Sequence, residues 1–176
     1  MLNRILTQLT GLSVALAGFG GAAMAQQESS NRVAAVTDWS VFVEGGAGEC
    51  WSVSSPKETK NTDEQGRPKA VRRGDILLFV TFRPGKPGEV SFMGGYPFAD
   101  GSTVELDVGG TKFTLFTNGE GAWAGSPEED AKIVTALKAG ADAVLTGRSG
   151  RGTLTRDKFS LLGFTAAIEE AAKRCQ

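Results

Sequence analysis

Hydrophobic and polar residues alternate along several stretches of the chain, with the period of two that is typical of β-strands. In TDWSVFVE the residues Trp39, Val41 and Val43 fall on one face, and ECWSVSS and STVELDV alternate in the same way. DILLFVTF is the most apolar stretch, and its short length predicts a strand in the middle of a sheet. EVSFMGG predicts a further strand.

Glycine-containing segments between these stretches predict the turns. A Gly109-Gly110 turn predicts a hairpin between STVELDV and the following KFTLF. GRSGRG at 147–152 predicts the tip of a second hairpin. The polar stretch PKETKNTDEQGRPKAVRRG contains two prolines, so we expect a long excursion between strands there.

Two segments change to a helical period. In SPEEDAKIVTALKAG, Ser126 is a good N-cap, Pro127 suits the first helical position, and Gly140 marks the end. The tail SLLGFTAAIEEAAKRC predicts a terminal helix with one stripe of residues facing the core. That stripe consists of Leu161, Phe164, Ile168, Ala171 and Cys175.

Strands that pack mostly on strands, together with two short helices, predict a mainly β fold. We expect an antiparallel β-sandwich or a barrel-like core, with the last helix at the C-terminus. One domain is the natural expectation at this length. We place it at residues 37–176, after a flexible polar leader at 26–36.

The first 25 residues have the three regions of a secretory signal peptide: a short head with Arg4, an apolar run, and small residues that end at Ala25. Polar residues and glycines interrupt the run, whereas a membrane-spanning helix needs about 20 predominantly apolar residues. We therefore expect cleavage between Ala25 and Gln26, export of the protein, and no transmembrane segment in the mature chain.

Export places the two cysteines, Cys50 and Cys175, in an oxidising compartment, where they are best interpreted as a pair. An internal disulfide would close nearly the whole domain, and the inward stripe of the terminal helix includes Cys175. A bridge between two chains and a pair of free thiols stay open as alternatives, because the spacing excludes neither.

Charge and composition disfavour several classes of function. The 19 basic and 20 acidic residues nearly balance, so there is no electrostatic reason to expect nucleic acid as a partner. The chain has no histidine, which excludes Ser-His-Asp and Cys-His catalysis and the commonest zinc sites. We expect no catalytic residue, no cofactor and no metal site.

Two motifs carry alternative interpretations. Glu105 and Asp107 lie two residues apart on one strand face, about 6.5–7 Å, which is similar to the carboxyl separation of an inverting glycosidase. The polar, solvent-exposed face of an ordinary strand would show the same spacing. A carboxylate-based hydrolase that acts on an envelope glycan is therefore the second hypothesis and not the first.

Arg73-Gly74-Asp75 spells a tripeptide known for integrin binding, but the apolar run that follows favours a turn entering a strand.

The best candidate for a binding surface is GGYPFADG, where Tyr96, Pro97 and Phe98 sit between glycines in a predicted loop. Loops carry binding residues more often than the elements they connect. The tip at 147–152 adds Arg148 and Arg151 to the candidate surface.

With these motifs assembled, the chain resembles the invasion-associated locus B family of exported bacterial proteins. The matching segments run from TDWSVF, CWSVSSP and GYPF through VGGTKFTLF and DAKIVTALKAG to GRSGRGTLTRDKFSLLGF and AAKRC. The resemblance implies a mainly β domain, a periplasmic or surface location, and no known catalytic residues. It also fits the pairing of Cys50 with Cys175.

We therefore expect a non-enzymatic, exported envelope protein that acts as a binding or structural module. The expected partner is an envelope or host-surface protein or polymer, and the expected role is in host-cell interaction or envelope integrity. The expected location is the periplasm, with exposure at the surface or secretion as alternatives.

Overall fold

The structure, a computed structural model, describes residues 31–44 and 48–176. The expected signal peptide, its cleavage between Ala25 and Gln26, and residues 26–30 of the expected leader lie outside the described residues. The described chain forms two helices, α1 (Pro127–Ala139) and α2 (Phe164–Arg174). Its strands are β1 (Arg32–Val36), β2 (Trp39–Glu44), β3 (Glu49–Ser54), β4 (Glu58–Thr62), β5 (Leu77–Phe82), β6 (Glu89–Met93), β7 (Thr103–Val108), β8 (Thr111–Asn118), β9 (Gly121–Trp123), β10 (Asp142–Arg148) and β11 (Leu154–Ser160).

These strands form an antiparallel, 11-stranded sheet in the order β1-β2-β3-β5-β6-β9-β8-β7-β10-β11-β4. Only residues 55–57 connect β3 to β4, although the two strands occupy the third and eleventh positions of the sheet. In a flat sheet they would lie roughly 38 Å apart, at about 4.8 Å per step, which three linking residues cannot span. The sheet therefore curls round on itself, and the mainly β fold expected from the sequence is confirmed.

Residues from opposite parts of the curled sheet meet in one continuous hydrophobic core. Phe92 of β6 packs edge to face on Phe159 of β11, with ring centroids 6.2 Å apart. The indole Nε1 of the buried Trp39 in β2 donates a hydrogen bond to the carbonyl oxygen of Ser160, at 3.0 Å. Trp39 thus combines a large apolar surface with a satisfied polar group, as a buried indole requires.

The first helix begins and ends as its sequence predicts. The hydroxyl of Ser126 accepts a hydrogen bond from the backbone N–H of Glu129, so it caps an otherwise unpaired donor of α1. The carboxylate of Asp130 is buried and accepts from the backbone N–H of Val90 at 2.8 Å. That bond fixes α1 against β6. No helix among the described residues is long and apolar enough to cross a membrane.

The second helix packs against β2 and β3 through the predicted stripe. Phe164, Ile168 and Ala171 are buried, and Phe164 meets Trp39 edge to face at 4.9 Å. At the end of the helix Cys175 forms an internal disulfide with Cys50 of β3, with Cα atoms 5.8 Å apart. The sequence left three arrangements of the cysteines open, and the structure contains the internal one. The bond holds the last helix on the sheet.

Three strands were missed by the sequence analysis. Part of the expected leader, Arg32–Val36, is β1, an edge strand whose Ala34 and Val36 pack against the core. A register shift between Arg32 and Ala34 interrupts its alternation, which hid the strand. The polar excursion contains β4, where every residue is polar because the strand gains its order from pairing with β11. β9 has only three residues, too few for a period.

We expect removal of the disulfide to lower the stability of the fold. In the double variant C50A/C175A the unfolded chain regains the entropy of a loop closed over 125 residues. The free energy of unfolding, measured by urea denaturation, should fall by about 2–5 kcal/mol. The wild-type protein unfolded in the presence of a thiol reductant should match the double variant. An unchanged urea midpoint in both would contradict this role of the bond.

Candidate functional site

A cavity of about 590 Å³ opens where three segments of the chain meet. Residues 69–73 of the long excursion form one wall, Gly95 to Pro97 form the second, and the hairpin tip after β10 forms the third. The two loops that the sequence analysis proposed as contact surfaces therefore lie side by side. The backbone N–H of Gly150 donates to the carbonyl oxygen of Pro97 at 3.0 Å, which ties them together.

A buried ion pair supports the cavity. The guanidinium of Arg73 donates to both carboxylate oxygens of Asp157 in β11, through Nη1 at 2.8 Å and Nη2 at 2.7 Å. The side chains are 6% and 0% exposed, respectively. A two-pronged arginine–carboxylate contact of this kind is among the strongest and most directional hydrogen-bonding arrangements in proteins.

The remaining donors of Arg73 join two further segments. Its Nε and Nη2 donate to the carbonyl oxygen of Gly94 at 3.0 and 2.7 Å, and Nη1 also lies 3.2 Å from Oδ1 of Asn61 in β4. One side chain therefore connects β4, β11 and the end of β6. Because its charge is paired and its donors are occupied, Arg73 organises the cavity wall and is not available to a ligand.

Gly95 lets two walls of the cavity approach each other. The backbone N–H of Gly74 donates to the carbonyl oxygen of Gly95 at 2.8 Å. Gly95 has a φ of 70°, and a Cβ atom on it would lie 2.6 Å from the carbonyl oxygen of Gly74. Only glycine meets both requirements. The tripeptide Arg73-Gly74-Asp75 is thus a connection that enters β5, with its arginine buried.

Tyr96 lies half-buried between the ion pair and the opening of the cavity. Its hydroxyl lies 2.5 Å from Oγ1 of Thr155, and the guanidinium of Arg73 stands 4.9 Å from the centre of its ring. Burial raises the pKa of the Tyr96 phenol above its ordinary value of 10.0, although the hydrogen bond with Thr155 and the charge of Arg73 oppose the rise. The phenol is therefore neutral at physiological pH.

The rim of the cavity is positively charged. Lys69, Arg72 and Arg151 are exposed and line it, against one lining carboxylate in the described chain, that of Glu120. Neither Arg72 nor Arg151 forms an ion pair with any residue that the structure describes. The opening thus carries two exposed arginines without an ion-pair partner in the described chain, above a floor whose buried charges are paired.

The structure places the predicted surface residues in three different settings. Tyr96, Pro97 and Arg151 line the cavity. Phe98 was expected in the contact surface but is only 6% exposed, since its ring packs against Tyr96 and the core. Arg148 lies outside the cavity lining and pairs with the carboxylate of Glu64.

The two carboxylates of the hydrolase hypothesis have structural contacts. Glu105 accepts from Nζ of Lys112 at 2.8 Å across the β7–β8 pair. Asp107 Oδ1 accepts from the backbone N–H of Gly110 at 2.8 Å and so stabilises the hairpin turn. Neither residue lines the 590 Å³ cavity.

The sequence analysis missed the residues that build the opposite wall, above all Arg73, Arg72 and Lys69. They lie in the polar excursion, where composition gives no sign of which charge is buried. One signal was present in the sequence. Arg73 is the last cation before the most apolar strand, and a charged side chain that is buried next to a core requires an oppositely charged or hydrogen-bonding partner.

A second, smaller cavity of about 310 Å³ lies on the outer face of the sheet. Trp51, Phe79, Met93 and Trp123 line it, and Trp123 is 38% exposed. Phe42 stacks on Trp51 next to this cavity, with ring centroids 5.8 Å apart. The aromatic side chains here belong to strand positions that face away from the core.

Substitution of one member of the buried ion pair should destabilise the protein strongly. In R73M the carboxylate of Asp157 stays buried without its cation, and in D157N the guanidinium loses its counter-charge. Each change should lower the free energy of unfolding by about 3–5 kcal/mol, as measured by urea denaturation. The double variant R73M/D157N should lose less than the sum of the two.

The neighbouring cation provides a matched control for that prediction. Arg72 carries the same charge one position earlier but is exposed and has no ion-pair partner in the described chain. R72M should therefore change the free energy of unfolding by no more than about 0.5 kcal/mol. Equal losses in R72M and R73M would contradict the assignment of a structural role to Arg73 alone.

Tyr96 is the single tyrosine of the protein, so its ionisation can be followed by the ultraviolet absorbance of the phenolate. The folded protein should titrate above 10.0, and the urea-unfolded chain near 10.0. Because the folded pKa is the higher one, Tyr96 contributes stability that is present below pH 10 and lost as the pH rises through the folded pKa. T155V should raise the folded pKa further, because the hydroxyl of Thr155 lowers it. A folded pKa at or below that of the unfolded chain would contradict the buried setting of the ring.

Comparison with known proteins assigns the family. A search among curated proteins finds no match. The crystal structure of invasion associated protein b from Bartonella henselae is similar, with a TM-score of 0.55 and 16% sequence identity over 80% of this chain and 95% of that chain. At this identity the likeness shows the fold. The family model of the invasion associated locus B (IalB) protein matches residues 39–172, most of the chain. The chain therefore belongs to the invasion associated locus B family, as its sequence motifs indicated.

Proposed function

We propose that this protein is an exported, non-enzymatic binding module of the bacterial envelope, and that the 590 Å³ cavity is its ligand site. The observation that carries the proposal is the construction of this cavity. A buried, fully paired arginine fixes its walls, while two arginines at its rim have no ion-pair partner in the described chain. Its volume falls within the range of about 300–1,000 Å³ that is typical of ligand sites.

Two features support the location. The disulfide between Cys50 and Cys175 is the kind of bond that persists in oxidising compartments such as the periplasm. The N-terminal sequence up to Ala25 has the regions of a signal peptide. On this proposal the mature protein acts in the periplasm or at the cell surface.

The lining of the cavity favours binding over hydrolysis. Canonical glycosidases use two carboxylates that flank the scissile bond. Among the described lining residues Glu120 is the one carboxylate, and burial raises the pKa of the Tyr96 phenol further above physiological pH. Glu105 and Asp107 are engaged with Lys112 and the hairpin turn, so no observation favours the hydrolase hypothesis.

The test is whether retention of the protein on envelope material depends on the cavity. Gly150 lines the cavity and has room for a side chain, because a Cβ atom there meets only the carbonyl oxygens of Pro97 and Phe98 at 3.7 and 3.8 Å. G150W should fill the cavity without changing its charges. We expect G150W to lower co-sedimentation of the purified protein with isolated cell envelopes at least tenfold.

The control variant A166W adds the same indole ring at an exposed position of α2, away from the cavity. A166W should be retained like the wild type, and both variants should keep the wild-type unfolding midpoint. If G150W unfolds, the charge-reversal variant R72E/R151E replaces it. Wild-type retention in the cavity variants, or no retention of the wild-type protein on any envelope fraction, would overturn the proposal.

A further inference from the structure

The positive rim limits what the cavity can bind. We infer that the ligand is an acidic oligosaccharide, whose carboxylate is bound by Arg72 and Arg151 and whose sugar body fills the cavity. This inference rests on the proposed function and names the ligand class of the same site.

The charge argument begins from the separation between buried and exposed cations. Arg73 is neutralised by Asp157 and contributes little net charge to the cavity. Lys69, Arg72 and Arg151 are exposed at the opening, with Glu120 as the opposing carboxylate among the described lining residues. An arginine offers a planar fork of N–H donors that fits a carboxylate better than a neutral group. The rim is thus complementary to an anionic ligand.

The size of the cavity excludes a bare anion as a good fit. A phosphate ion displaces only a few water molecules, each of roughly 30 Å³ in the liquid. The cavity measures about 590 Å³, so most of it would remain filled with water around such an ion. A ligand that fits must carry an uncharged body several times larger than its charged group.

The walls favour a sugar as that body. Ser149, Thr153, Tyr96 and Pro97 line the cavity, so its walls combine polar and apolar residues. The Glu120 carboxylate on the same rim accepts hydrogen bonds from hydroxyl groups. The side chains of an acidic peptide present carboxylates without hydroxyl groups, whereas each residue of an acidic glycan presents hydroxyl groups beside its acid group. The mixed rim therefore selects an acidic glycan over an acidic peptide.

The experiment is a calorimetric titration of the full chain with trigalacturonate and with its methyl ester, in which methyl groups replace the negative charges of the carboxylates. We expect trigalacturonate to bind at least tenfold more tightly than the ester, and the difference to shrink at high salt. R72M/R151M should lose at least tenfold in affinity for trigalacturonate. Hexaglutamate and inorganic phosphate should bind more weakly than trigalacturonate.

The control variant removes two other exposed cations, in R148M/K112M. Both lie outside the cavity lining and pair with Glu64 and Glu105, so this variant should bind trigalacturonate like the wild type. Equal loss in both variants would show a non-specific charge effect and overturn the inference. So would equal binding of the ester, tighter binding of hexaglutamate or phosphate, or no binding of trigalacturonate.

The two proposals fail in different ways. If trigalacturonate does not bind while G150W still abolishes envelope retention, the ligand class is wrong and the binding site stands. If G150W also leaves envelope retention unchanged, the site itself is wrong.

Discussion

The buried pair of Arg73 and Asp157 is the interaction on which the site depends. The segment between β4 and β5 connects a strand at one end of the sheet order to a strand further inside it. It has few apolar residues that could fix its position by packing against the core. Arg73 holds the end of this excursion by bonding β11, β4 and the carbonyl of Gly94. Removing two charges from water is costly, and full pairing with additional hydrogen bonds is what offsets that cost.

The ion pair of Arg73 and Asp157 lies in a curled sheet whose closure depends on other contacts. The short β3–β4 link forces the sheet to curl, and Trp39 of β2 bonds the end of β11 across the core. The disulfide of Cys175 holds the last helix over the same strands. Because these contacts fix β11, the carboxylate of Asp157 has a defined position. The cavity walls are therefore preorganised, an arrangement that lowers the entropic cost of binding for the proposed ligand.

The sequence predicted the parts of the fold that follow from local rules. The Gly109-Gly110 turn, the Ser126 cap and the stripe of α2 each depend on a few neighbouring residues, and the structure confirms them. β4 could not be predicted, because it is ordered by β11, which lies far away in the chain. The burial of Phe98 and the pairing of Arg73 are also long-range properties. Sequence reasoning found one wall of the cavity and missed the other for that reason.

The separation of charges at this site is itself an argument for function. A buried cation must be paired for the fold to be stable, and Arg73 is paired with Asp157. The stability of the fold does not depend on Arg72 and Arg151 in this way, because unpaired exposed arginines add almost nothing to stability and repel each other weakly. Their convergence on one opening, above rigid walls and a neutral phenol, is a local arrangement that stability does not explain. Departures of that kind are expected where a protein binds something.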